Sequence, residues 1–424
     1  MNTSFYSGLS GLSAYASALN IVGNNLANIN TTGFKASDVS FEDLVTRTFG
    51  GVATNGAGNP MQVGLGTLPN SISGIFSQGS IMSSGDATNV ALEGNGFFVV
   101  GNTNQDRFFT RAGNFFFNND GYLVSPSGQY VLGYTTKDAN NNIITSGPLE
   151  QIFLPSNTVS DPQATTFFQV FSNLDVRTVA GTTYSASTTI YDSKGAPHTL
   201  TITFTHNGLN GAGNDEWAYS ASIPDADTAT GAAGSGILGA GTLEFDAAGA
   251  LLTPAANVPF TTPAFANGAG ALTFDWDLYD DNNVAIITGY PIPSTTSATN
   301  TDGYPPGNLS SVIIDSDGII EGVFSNGQVE QMAQLAIAQF NNPKGLMRLG
   351  QNLFGETNAS GNSSIGVANT GGRGTIIGSA LESSNVDMAT EFTRMLVFQR
   401  GYQANSKTIT TADTITQTAL TLVR

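Results

Sequence analysis

Two histidines, His198 and His206, are all the imidazole in this chain. They belong to an alternating run in which His198, Leu200, Ile202, Phe204 and His206 share one face of a predicted strand and Thr199, Thr201, Thr203 and Thr205 the other. Eight residues at about 3.3 Å each put the rings roughly 26 Å apart, too far to share a metal ion. They read as histidines at the edges of a β face. Asp275, Asp277, Asp280 and Asp281 offer the hard oxygens calcium takes. Their run lacks a calcium loop's glycine and terminal glutamate, and Trp276 and Leu278 alternate with it, so a solvated acidic strand end is expected. Gly94-Asn95-Gly96 leads into strand-like residues rather than a helix, which excludes a phosphate loop. No nucleophile elbow stands between a strand and a helix, and neither histidine has a triad pattern around it. Carboxylate pairs for glycoside hydrolysis are so numerous that none is selected, and Trp217 and Trp276 are the only tryptophans for sugar stacking. Zero cysteine removes thiolate metal sites and thiol nucleophiles together. The expectation is no catalytic residue, no metal and no cofactor.

The charge distribution narrows the partners. The chain has 14 basic and 32 acidic residues, a net charge of −18, and only 11% charged residues over 424 positions. Phosphate neutralisation needs basic surface, so nucleic acid is excluded, and so is docking on anionic lipid. Twenty of the acidic residues but only Arg177 and Lys194 of the basic ones lie between Asp138 and Pro343, so the two ends are neutral. Neutral ends can pack against copies of themselves, whereas a strongly acidic middle repels its copies and stays solvated. No apolar stretch reaches the ~20 residues of a membrane-spanning helix. The first basic residue is Lys35 and no continuous apolar run follows Met1, so no cleavable export signal is expected.

Positioning elements follow from periodicity. Phe5, Leu9, Leu12, Ala16, Leu19, Gly23 and Leu26 recur at alternating spacings of four and three, a heptad stripe on a helix uncharged from Met1 to Thr32. Met395, Phe398, Tyr402, Asn405, Ile409, Ala412, Thr416, Ala419 and Val423 do the same at the other end, predicting a helix of about 35–40 residues and about 55 Å. Ser383, Ser384 or Asn385 is its expected cap, with Asp387 in the first turn. Uncharged striped helices at both extremities point to a shared coiled coil or a self-assembly surface. Residues 31–75 read as an extended connector with one helix-like patch, Phe41 to Phe49. Turn tetrads at Asn118–Gly121 and Ser125–Gly128 punctuate an antiparallel β pattern. Matching pattern returns at Ser311–Phe324 and Gln328–Phe340. Aspartate, two residues and glycine recur at Asp192–Gly195, Asp246–Gly249 and Asp315–Gly318, which suits tight hairpin turns. The expected fold is multidomain α+β. Terminal helices (1–30 with 384–424) form a coiled-coil-like inner domain. A connector (31–75) leads to an antiparallel β-rich domain built from both halves (76–145 with 301–383). An acidic all-β outer domain (146–300) is inserted in it.

These residues match a known pattern. Gly23-Asn24-Asn25-Leu26-Ala27-Asn28, with Thr32-Gly33-Phe34-Lys35, resembles the N-terminal signature of the axial proteins of the bacterial flagellum. Gln399-Arg400-Gly401-Tyr402-Gln403-Ala404-Asn405-Ser406-Lys407-Thr408 resembles their C-terminal signature. Glu93–Phe98, Thr110–Phe115 and Ser384–Met388 fit as well. The long middle, with Asp192-Ser193-Lys194-Gly195 and His198-Thr199-Leu200-Thr201, resembles the hook branch of that family rather than the rod branch. The connector between Asp43 and Gly64 is longer than in the shortest hook-branch members, and an enlarged connector is associated with stiffness in the distal rod. The resemblance implies an extracellular tubular homopolymer, with no catalysis, that bends while transmitting torque. It implies export by the flagellar type III apparatus, and rod, hook-cap and hook–filament junction proteins as neighbours. A distal rod subunit, or a secreted β-rich hydrolase or adhesin, are the competing readings.

Overall fold

Proline is absent from Ser384 onward and apolar residues recur at three and four, so the C-terminal segment forms one long helix, α2 (Met388–Leu422), as the N-terminal segment forms α1 (Thr3–Ala27). The computed structural model describes residues 3–44, 46–49, 61–102, 106–139, 141–155, 157–280 and 282–422. The predicted seam residue Val423 lies outside them. The chain divides into two units: residues 1–156, 311–323 and 329–424 form the first, residues 157–310 and 324–328 the second.

In the first unit, a strand at Phe97–Gly101 is flanked by Arg107–Thr110 and Tyr130–Tyr134, all antiparallel. Strands from beyond the insert complete the sheet: Val329–Leu335 joins Tyr130–Tyr134, and Leu353–Gly355 joins Arg107–Thr110. An antiparallel β domain is thus assembled from both halves of the chain. All five residues of Phe97–Gly101 are buried, since Phe98 and Val100 face one apolar cluster, with Leu335 and Ile337, while Phe97 and Val99 face another, with Phe109 and Phe340. A strand covered on both faces reads as a continuous apolar run, which is what Phe97-Phe98-Val99-Val100 is.

The connector is extended, but its helix-like patch is not helical. Ser37–Asp43 pairs antiparallel with Thr67–Gly74, and Thr46–Phe49 pairs with Met61–Gly64. Phe41 sits in the first of these strands, against Tyr15 of α1 and Phe398 of α2 at ring distances of 5.7 and 6.1 Å. Its apolar character serves a tertiary contact rather than a local helix face.

The second unit is all β. Thr183–Tyr191, Pro197–Leu209, Asp215–Ser222, Ile237–Phe245 and Leu251–Thr253 form a meander. A second sheet centres on Phe167–Asn173, which runs parallel to Thr273–Asp277 and Ile287–Thr288, pairings no local signal announces. Trp217, Trp276, Phe204 and Phe274 are buried in its core. The aspartate–glycine turns are alike in construction. Asp192, Asp246 and Asp315 each accept the amides two and four residues on through Oδ1. Gly195, Gly249 and Gly318 then take positive φ of 76°, 81° and 78°.

Candidate functional site

The seam between α1 and α2 is made of small residues. On α1, Gly8, Gly11, Ala14, Ala18 and Val22 are buried. A Cβ on Gly11 would lie 2.7 Å from the Asn405 side chain, one on Gly8 3.2 Å from Ile409, and one on Gly401 2.7 Å from the Tyr15 ring. The backbones approach because these positions lack bulk. The sequence stripe meets this seam on α2, where Asn405 and Ile409 face Gly11 and Gly8 and Ala412 is buried, but its large residues on α1 lie beside it. Inside the chain, Phe5 and Leu9 are exposed, at 37% and 48%, and Leu12, Leu19 and Leu26 are only half-buried. On α2, Met395, Phe398, Asn405 and Ile409 are half-buried, and Tyr402 is exposed. On α1 the difference has a simple cause: a heptad count weights large apolar residues, while the closest helix approach goes to glycine and alanine. A further apolar set on α2, Phe392, Leu396, Val397, Ile415 and Leu420, is exposed, and the sequence reading passed over it.

The motif residues meet in a buried ionic clamp. Lys35 Nζ lies 2.6 Å from Glu382 Oε1, with both side chains fully buried, and donates to the Ser77 carbonyl at 2.8 Å. Arg111 stands 3.5 Å from Glu382 Oε2, an ion pair without a hydrogen bond, and donates to the Gly94 carbonyl at 2.7 Å. Burial pushes both cations down from their ordinary values, and Glu382 opposes it. Glu382 was not singled out by sequence; its position just before the Ser384–Met388 motif was the available signal.

Asparagines fasten the surrounding backbone. Asn25 is buried, accepts the Ser37 amide at 2.9 Å, and donates to the Ser37 carbonyl at 2.8 Å and to Glu391 at 3.3 Å. Asn28 donates to the Asn24 carbonyl at 2.9 Å, and Gly33 takes a φ of 66° where a Cβ would strike the Ala112 amide. Phe34 is buried beneath the Arg348 guanidinium, 5.6 Å from its ring. Asn405 donates to the Gly401 carbonyl at 2.9 Å, while Gln399 and Arg400 are exposed. The helix cap differs from expectation. Asp387 itself accepts the Thr390 amide at 2.7 Å, and that bond holds its carboxyl below the ordinary range. Asn385 instead accepts the Ala36 amide at 2.8 Å.

In the second unit each histidine has a private carboxylate. His206 Nε2 is 2.8 Å from Asp215, and His198 lies 3.3 Å from Asp192 and 3.1 Å from Asp227. They are buried at the two ends of the Leu200, Ile202 and Phe204 face, as expected, and stack on Trp217 and Phe265. Burial would raise the Asp192 carboxyl, but hydrogen bonds from Asn267, from the Ala196 and Lys194 amides and from His198 hold it low. Asp280 caps its own turn through the Asn282 and Val284 amides, and Asp277 accepts Asn257. Among the described residues no three metal-ligating side chains converge. Among the described residues no helix is long and apolar enough to cross a membrane.

Helical termini clamped to a split β domain, with an inserted β unit, form the architecture over which the chain matches families of the flagellar axis. Residues 5–35 match the flagella basal body rod protein family, and 91–171 the flagellar hook protein FlgE/F/G D1 domain. Residues 154–304 match the flagellar basal body protein FlaE D2 domain, and 377–422 the flagellar basal body rod FlgEFG protein C-terminal family. Flagellar hook protein FlgE of Treponema pallidum is 34% identical over the whole of both chains. That of Salmonella typhimurium is 33% identical over 99% of this chain and 100% of its own. The crystal structure of Helicobacter pylori flagellar hook protein FlgE2 shares the fold, with a TM-score of 0.51 at 18% identity, over 71% of this chain and all of that one. The chain belongs to the flagellar hook protein FlgE family: it is a structural subunit of the hook, the extracellular part of the hook–basal body, and not an enzyme.

Proposed function

We propose that the chain polymerises with its own copies through the outward faces of α1 and α2, building a bendable tube that carries torque. The observation that carries this is the exposure of Phe5 and Leu9 on α1, with Phe392, Leu396 and Val397 on α2, although both helices are already packed on each other. Large apolar side chains left exposed on both helices in this way mark interaction surfaces. Leu12, Leu19, Leu26, Met395 and Tyr402 extend these faces, and Phe398 and Ile409 back them from within the chain, against Tyr15 and Gly8. In the tube, residues 1–30 and 384–424 form the inner layer, 31–75 the connector, 76–145 with 301–383 the next layer, and the acidic 146–300 the solvent-facing exterior. The neutral ends and acidic middle support that order, since repulsion between exteriors leaves them few strong lateral bonds and lets them slide. Rod, hook-cap and hook–filament junction proteins are the end neighbours in this reading, and the type III apparatus is the export route.

Leu9→Asp tests it. Leu9 is half-exposed in the single chain, so the monomer's thermal melt should stay within about 0.5 kcal/mol of wild type. Burying an unpaired carboxylate between copies costs several kcal/mol, so sedimentation should find no polymer. Normal tubes from the variant would remove α1 from the interface.

A further inference from the structure

One cleft in the first unit is lined in part by the family motifs. It encloses about 590 Å³ between the end of α1, the 110–114 segment, the Ser125–Ser127 turn and the hairpin around Gln351. Its lining is rich in amides and hydroxyls and contains no aspartate or glutamate. Two cations reach it. Lys35 is neutralised by Glu382, but Arg348 has no carboxylate within 4 Å among the described residues. Arg348 is instead aimed by the fold: Nη2 donates to the Lys35 and Ala36 carbonyls at 2.6 and 3.1 Å, and the guanidinium lies over Phe34 and Phe354. Arg348 is exposed along its strand, so its charge is open to a partner, while packing around the guanidinium pushes it down from its ordinary value.

The rim is held and the mouth is free. Gln351 and Asn352 both take positive φ, 52° and 59°, and Asn352 is tied to the Thr32 carbonyl at 2.9 Å. Non-glycine residues in that region carry a backbone cost that persists where surroundings enforce it. Asn24, by contrast, is exposed, and its side chain makes no hydrogen bond among the described residues. A motif asparagine whose side chain the fold does not spend, in the same cleft as a cation without a counter-ion, offers a recognition surface.

We propose that this cleft is a socket for an acidic turn of a second copy, with Arg348 supplying the counter-charge. The inference rests on the polymer reading above and names one of its contacts. The occupant follows from charge: the chain carries −18, it presents acidic turns such as Asp315-Ser316-Asp317-Gly318, and a planar guanidinium matches a carboxylate in two-point geometry. A socket of this kind converts part of the self-repulsion of an acidic chain into a specific contact.

The test uses the full chain. Asn24→Asp puts a negative charge in the mouth without removing a hydrogen bond, and Asn24→Lys reverses that sign. Asn24→Asp should raise the critical concentration for polymerisation by about tenfold, Asn24→Lys should not raise it, and both should melt as wild type. A photo-crosslinking side chain at position 351, irradiated in the polymer, should yield an intermolecular peptide containing an acidic turn. Unchanged assembly of Asn24→Asp, or crosslinks only to acid-free peptides or within one chain, would overturn the socket while leaving the polymer intact. Failure of the wild-type chain to polymerise would instead overturn the polymer reading, and the socket with it.

Discussion

Glu382 is the residue on which the first unit's charge balance turns. It faces Lys35 and Arg111 with no water-exposed side, so removing its charge strands two buried cations. Breaking one member of a buried pair costs about 3–5 kcal/mol, because the remaining charge is uncompensated. Glu382→Gln should lower the stability of the first unit by that order in urea titration followed by far-ultraviolet circular dichroism. A loss below about 1 kcal/mol would show that water or Ser77 can replace the carboxylate. Little of this was legible beforehand. Lys35 stood out as the first basic residue and as part of a motif, but no local pattern joins it to a glutamate 347 positions away. The aspartate turns were legible because their chemistry is complete within five residues, as Asp192 with Lys194, Gly195 and Ala196 shows.

Both helices could be read from periodicity, and so could the α2 side of their seam, but the close approach on α1 could not. Apolar counting favours leucine and phenylalanine, while the interaxial distance is set where side chains are missing. Gly11 and Gly23 separate the two effects. Gly11 is in the seam, 2.7 Å from the Asn405 side chain once a Cβ is added, whereas Gly23 has nothing within 4 Å. Gly11→Leu should therefore cost about 1–3 kcal/mol by overpacking. Gly23→Ala should gain about 0.5–1 kcal/mol, the ordinary helix preference. Helical melts at 222 nm distinguish them, and equal behaviour would mean that the helices do not approach through Gly11. The parallel pairings of Phe167–Asn173 were equally hidden, since its partners lie about a hundred residues later with no shared turn.

At the scale of the molecule, charge and fold divide together. Residues 157–310 hold fourteen acidic and two basic side chains, and both tryptophans of the chain, buried. An isolated 154–310 fragment should melt cooperatively, with tryptophan emission following the transition, and should sediment as a monomer at low salt, where self-repulsion is least screened. Acid should weaken it. The Asp192 carboxyl is depressed in the folded state, so its contribution is present above the unfolded aspartate value near 3.9 and is lost as pH falls through the lower folded value. A fragment that lacks a cooperative melt, or whose melt is flat from pH 6 to pH 2, would contradict this account. The clamp has a further consequence, in time rather than in energy. The meander of the second unit joins neighbours in sequence, so its contacts can form as soon as each hairpin is present. The Lys35–Glu382 bond closes a loop of 347 positions and cannot form in any chain of which residue 382 is not yet free. Completion of the subunit is therefore ordered: the insert can be finished while the latch between the two ends is still open, and the ends are locked side by side only when the whole chain is there.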